Sequence, residues 1–234
     1  MSAFYAFIDQ DSVNIFTDGV IYTDDGTIEA LAEKVHRSDH VPLAVAGRGP
    51  SDLVRLLAKL ICAISVCGSV DDTISAFREK MAARKDLEAS GFFDLVIGCI
   101  SETGGPKLYY LTNYTQFGDM APFDLREVGP DLCGGPNPDD ETMSVFLPQE
   151  FVEVASTIEI VINFFQAMRV TKKPSLTHPD KIEIYGVGGH VDFTKVSASA
   201  ATTTRVHEWP DRVGEKIDPY RELNDALGSL VAAE

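Results

Sequence analysis

Short runs of β-branched and aromatic residues recur in this chain as neighbours joined by tight polar turns, and that pairing constrains the fold more than any other feature. Ala3 to Asp18 reads AFYAFIDQDSVNIFTD, two such runs about the turn IDQDS. FDLVIGCIS and KLYYLTN flank the turn signal ETGGP in the same way. Strands joined by such turns run antiparallel, because a parallel partner needs a long crossover. Further strand-like runs are VIYT, which follows Asp18-Gly19, then VPLAVAG, which stops at Gly47-Arg48-Gly49-Pro50, and ATTTRVHEW. In IEIYGVGGHVDFTKVS the Gly-Gly pair reads as a tight hairpin turn between two strands. A dinucleotide-binding loop does not fit there, since the third glycine is missing and strand-like residues follow.

Helical periodicity falls between these runs. In SDLVRLLAKLICAIS, Leu53, Leu56, Leu57, Leu60 and Ile61 recur at helical spacing, with Ser51 as the expected N-cap. A second helix is expected from about Val70 to Glu88, with Asp71 or Asp72 near its start. A third, from about Gln149 to Met168, carries Phe151, Val154, Ala155, Ile158, Val161, Ile162 and Phe165 on one side. The Gly/Pro/Asp-rich stretch from Val128 to Glu141 reads as a loop. A short helical stretch, DPYRELNDALGSLVAAE, follows near the C-terminus. Hairpins in place of regular βαβ alternation give an α+β fold, antiparallel sheets covered by helices, and the pattern suits two stacked sheets between helical layers.

At 234 residues and 44% hydrophobic, the chain has material for one sizeable core, expected to span 1–234 as one domain with a C-terminal extension from about 210. Acidic residues outnumber basic ones 36 to 20, a formal charge of −16 spread along the chain. That excludes a nucleic-acid groove or an anionic membrane surface, both of which need concentrated Lys and Arg. No apolar stretch is long enough to span a bilayer, and Asp9 and Asp11 stand where a signal peptide needs an apolar core, so a cytoplasmic protein is expected. Cys62, Cys67, Cys99 and Cys133 lack metal-type pairing and read as buried thiols of a reducing compartment. His36 and His40 stand at HxxxH spacing but on a strand-to-turn segment; His178, His190 and His207 are scattered. No metal site and no cofactor is expected.

Ser2 is the most informative position for chemistry, although Ser after Met is common and taken alone reads as a tolerated small residue. Removal of an initiator Met before a small residue would leave one residue with both a hydroxyl and a free α-amine. That amine has an ordinary pKa of about 7.7 to 8.0 and can accept the proton of its own hydroxyl. Asp18 and Lys34 stand sixteen and thirty-two residues after Ser2. With this spacing, and with the segments FTDG, EKVHR and AVAGRGPSDLVRLL around it, the chain resembles the proteasome β-subunit-like family of N-terminal nucleophile hydrolases. The resemblance covers about residues 2 to 66 well and 93 to 113 moderately.

That resemblance implies a four-layer αββα sandwich and a peptidase or amidase acting through an acyl-enzyme on Ser2. Lys34 would favour the nucleophilic form of Ser2, Asp18 would hold Lys34, and the Gly47 N–H would serve as oxyanion donor. A pocket near Ile21, Ala32 and Val45 to Gly49 is implied for a peptide or protein substrate. So are homo-oligomers of ring or lock-washer type, with six or seven subunits per turn; the sequence has no Walker-type GxxxxGK(S/T), so any ATPase unfoldase that serves as a partner would be a separate chain. Two positions depart from the family pattern. Pro130, followed by Asp131, stands where a Ser near the terminal amine is expected, and Val170 stands where an Asp commonly follows an Arg. Ser in place of Thr also loses the methyl that restricts rotation of the nucleophile. These departures motivate a second expectation, a catalytically silent ring-forming protein.

Overall fold

The computed structural model describes residues 3–84, 91–114, 121–175, 178 and 180–221, with only the backbone of Cys67. Two five-stranded antiparallel sheets dominate it. The first runs in the order β10 (Asp131–Gly134), β1 (Phe4–Ile8), β2 (Val13–Asp18), β13 (His190–Val196), β14 (Ala201–Glu208). The second runs β5 (His36–Arg37), β6 (Leu43–Arg48), β7 (Asp94–Ser101), β8 (Gly105–Thr112), β9 (Arg126–Val128). Two ribbons complete the strands: β3 (Val20–Tyr22) with β4 (Ile28–Leu31), and β11 (Lys173–Pro174) with β12 (Glu183–Ile184). The hairpins read from Ala3 to Asp18 and from FDLVIGCIS to KLYYLTN are both present, with Phe4 opposite Thr17 and Asp94 opposite Thr112.

Because strand side chains alternate, each sheet supplies two apolar faces. Leu43, Val45, Leu95, Ile97 and Leu111 of the second sheet pack with Val54, Leu57 and Ile61 of α1 (Ser51–Ile64) and with Phe77 and Met81 of α2 (Val70–Ala82). The alternate residues Ala44, Ala46, Val96, Leu108 and Tyr110 meet Phe4, Ala6, Val13 and Ile15 of the first sheet. Phe16 and Val191 of the first sheet pack against Val161, Phe165 and Met168 of α5 (Thr157–Val170). Each fully buried side chain of this size contributes about 1.5–3 kcal/mol, so these three clusters are what hold sheets and helices together.

Several sequence expectations are corrected. Helix α1 begins after Pro50, and Ser51 is its first residue rather than its cap. Proline suits that entry because its fixed φ commits the backbone and the first N–H groups need no partner within the helix. Helix α2 ends at Ala82; its N-cap is Ser69, whose hydroxyl accepts from the Asp72 N–H. The stretch from Val128 to Glu141 contains strand β10 and the start of α3 (Asp140–Phe146), because β10 finds a partner in β1 that no local pattern reveals.

The single helix expected from Gln149 to Met168 is two, α4 (Gln149–Val152) and α5. A capping box between Ser156 and Glu159 restarts the helix and leaves Val154 84% exposed. Strands β12 and β13 do not form a hairpin across the Gly-Gly pair: β12 pairs with β11, while β13 lies between β2 and β14. Cys133 is exposed rather than buried, since β10 is an edge strand. Cys99 is buried, which pushes its thiol up to about 12. From residue 222 the expected C-terminal helical stretch lies outside the described residues. Among the described residues no helix is long and apolar enough to cross a membrane.

Candidate active site

Strand β2 ends at Asp18, where Gly19 turns the chain out of the sheet toward β3. The Asp18 side chain is fully buried, and a buried carboxylate must be satisfied by donors. Its Oδ1 accepts from the Ala3 N–H at 2.8 Å and from Lys34 Nζ at 2.9 Å, and its Oδ2 from the Val20 N–H at 3.4 Å. The Asp18 N–H donates in turn to the Ala3 carbonyl at 3.2 Å, so β1 enters the site tied to this one residue. Burial pushes the Lys34 ammonium below the usual lysine range, while the charge and hydrogen bond of Asp18 pull it back up; the net direction is downward. Ser2 lies outside the described residues, and Ala3 is the residue next to it.

Lys34 and Gly47 line the same cavity, of about 480 Å³. Its walls include Val20, Ile21 and Tyr22 of β3, Ala32, Gly49, and Val54 of α1. Gly47 stands past the end of the β5 ladder, which stops at Val45 opposite His36, so β7 is its strand neighbour there. Ile21, Ala32, Gly47 and Gly49 thus face the space expected of them. Val45 and Ala46 do not; they belong to the apolar clusters on opposite faces of β6. Arg48 is turned into a buried ion pair with Asp94, which also accepts from the Tyr110 and Tyr114 hydroxyls at 3.1 and 3.4 Å. His36 lines the cavity and His40 is exposed.

The two departures from the family pattern find a different setting. Pro130 is not beside the start of β1: its carbonyl accepts from the Ile8 N–H at 2.7 Å, at the far end of that strand. The β10 residues that reach the start of β1 are Gly134, paired with Phe4, and then Gly135 beyond the strand end, close to Ala3. At the end of α5, Val170 offers no carboxylate, but the preceding Arg169 is bound by Asp211, which also accepts from the Gly189 N–H at 2.7 Å.

Sequence reasoning missed Asp211, Tyr22 and Lys173. Asp211 lies forty-two residues from Arg169, and no local pattern links them. Tyr22 was legible only as a strand residue, yet its phenol is pushed well above the usual range by burial and then by the nearby Asp18 charge. Lys172 and Lys173 follow Thr171, the C-cap of α5, as a pair that reads as an ordinary solvated helix end.

No family model matches the sequence, and no curated protein matches it. Among solved structures, the fold is similar to that of the Gly-1 mutant of Anbu from Hyphomicrobium sp. strain MC1. The TM-score is 0.59, covering 100% of this chain and 96% of that one at 10% identity. The fold is proteasome-like. At that identity the likeness speaks of fold alone.

Proposed function

We propose that the chain is a proteasome-like N-terminal nucleophile hydrolase that cleaves an amide bond through an ester on Ser2 once Met1 is removed. One observation carries this reading: a single oxygen of Asp18 accepts from both Lys34 and Ala3, the residue beside Ser2, at the margin of a cavity that Gly47 lines. The three apolar clusters support a four-layer αββα arrangement in one domain. The ring or lock-washer assembly, the cytoplasmic setting and the separate ATPase belong to the same reading.

In this mechanism the α-amine of Ser2 takes the Oγ proton as Oγ bonds to the substrate carbonyl carbon. The carbonyl oxygen becomes an oxyanion facing the Gly47 N–H, whose fixed dipole needs no reorganisation as the charge develops. Collapse breaks the C–N bond, and the leaving amine carries off the proton from the α-ammonium. Water, deprotonated by the regenerated amine, then bonds to the acyl carbon, the ester C–Oγ bond breaks, and the α-ammonium returns the proton to Oγ. Lys34, held charged by Asp18, stabilises the developing alkoxide.

Intact-mass measurement of protein from its own host, followed by treatment with a β-lactone acylating agent, tests the proposal. Loss of one Met and a single acyl adduct that disappears in Ser2→Ala are expected. Equal labelling of the variant removes Ser2 from the mechanism. The second reading, a silent ring-forming protein, is favoured by the Gly134-Gly135 pair, which brings no hydroxyl to the neighbourhood of Ala3. Retention of Met1 in the native protein would decide for it.

A further inference from the structure

Behind the start of β1 lies a cation that the mechanism above does not use. Lys173, on β11, is only partly exposed, and its Nζ donates to the Gly135 carbonyl at 2.7 Å. Gly135 is packed so close to the chain start that a Cβ on it would lie 3.2 Å from the Ala3 Cβ and 3.5 Å from the Ala3 Cα. Lys173 is therefore separated from Ala3 by one residue's backbone.

The charges facing this ammonium come from two strands, Arg48 of β6 and Asp94 of β7. They do not balance it. Asp94 is committed to Arg48 and to the hydroxyls of Tyr110 and Tyr114, and among the described residues no carboxylate pairs with Lys173. Lys34, by contrast, is matched by Asp18. Among the described residues, the unmatched positive charge near Ala3 thus belongs to Lys173. Burial and then Arg48 lower its proton affinity to about 8, with Asp94 opposing, so it is charged at neutral pH and discharges just above it.

We infer that Lys173 is a positioning residue of the site, whose ammonium behind Gly135 keeps the α-amine of Ser2 in its neutral, proton-accepting form. The inference rests on Ser2 being the nucleophile. A nearby positive charge disfavours a second one, so the terminal amine gives up its proton at lower pH than it otherwise would. The Gly135 carbonyl anchors the cation there.

The rate of β-lactone acylation of Ser2, followed by intact mass between pH 5 and 9, tests this. Lys173→Met should move the midpoint of the acid limb upward by about 1 pH unit, slowing acylation about tenfold on that limb. The profiles should converge toward pH 9, where the wild-type lysine is largely discharged and the α-amine is neutral in every variant. Lys173→Gln, which keeps a donor for Gly135 without the charge, should behave as Lys173→Met does and decides the matter where the Met variant fails to fold. Lys173→Arg should keep the wild-type midpoint. Unshifted Met and Gln profiles on a wild type that is labelled at Ser2 overturn the inference and leave the hydrolase reading standing. So does an Arg variant shifted as far as Met. A wild type that is never labelled overturns both.

Discussion

Arg169 and Asp211 meet through two parallel hydrogen bonds, at 2.7 and 2.8 Å, with both side chains withdrawn from water. The guanidinium also donates to the carbonyls of Val187 and Asp218 and lies over the Trp209 ring at 4.9 Å. Removing one partner strands a buried charge, which typically costs about 3–5 kcal/mol. Asp211→Ala should therefore lower unfolding stability by that order in urea titration, and Asp211→Asn, which keeps an acceptor for the Gly189 N–H, should lose less. An Asp211→Ala midpoint equal to wild type would show that the pair is dispensable.

Lys34→Met removes the ammonium from Asp18 but keeps most of the apolar stem of the side chain. The acylation rate of Ser2 should fall at least about 100-fold, the scale on which positioned proton-handling groups act. Circular dichroism should remain native. A variant that is acylated at the wild-type rate removes Lys34 from the proposed mechanism.

Gly19 is closed to any side chain, because a Cβ there would collide with the ring of buried His190. Gly19→Ala should force β2 and β13 apart at the residue next to Asp18 and cost about 1–3 kcal/mol, the range for overpacked cores. A thermal melt unchanged from wild type would mean that the His190 ring yields without cost.

Acid should weaken the first sheet through Asp192. Burial raises its carboxyl, but the hydrogen bond and charge of His190, 3.0 Å away, and the bond from Arg205 at 3.2 Å outweigh it, and the net direction is downward. A depressed carboxyl stabilises the fold fully above its unfolded value of about 3.9, and the contribution is lost as pH falls through the folded value. Urea midpoints of wild type and Asp192→Asn should therefore converge as pH drops from 6 to about 3. Parallel curves would exclude Asp192 from the acid response.

What was legible in the sequence was local. The Ala3 to Asp18 hairpin, β6 and α1 follow from alternation, helical spacing and a proline, all of which act within a few residues. The spacing of Asp18 and Lys34 was legible in another way, through the family resemblance, and the two side chains share a hydrogen bond. Strand β10 was hidden because its composition reads as loop and its stability comes from β1, more than a hundred residues away. The break near Ser156 was masked by apolar residues that keep helical spacing across it, although Ser156 and Glu159 spell a capping box. Lys173 and Asp211 were illegible for a related reason: a lysine after a helix and an aspartate in a loop gain meaning only from what long-range packing sets beside them.

Only Gly129 and Pro130 separate β9, which is bonded to β8 in one sheet, from β10, which is bonded to β1 in the other. That segment works as a rivet along one flank of the sheet pair: the sheets cannot slide past each other there without tearing a ladder. The cavity lies toward the other flank, where His36 of edge strand β5 contributes to its wall. The sheet pair is thus riveted on the flank away from the cavity, while on the cavity side the Asp18–Lys34 ion pair joins the end of β2 to the segment that leads into β5.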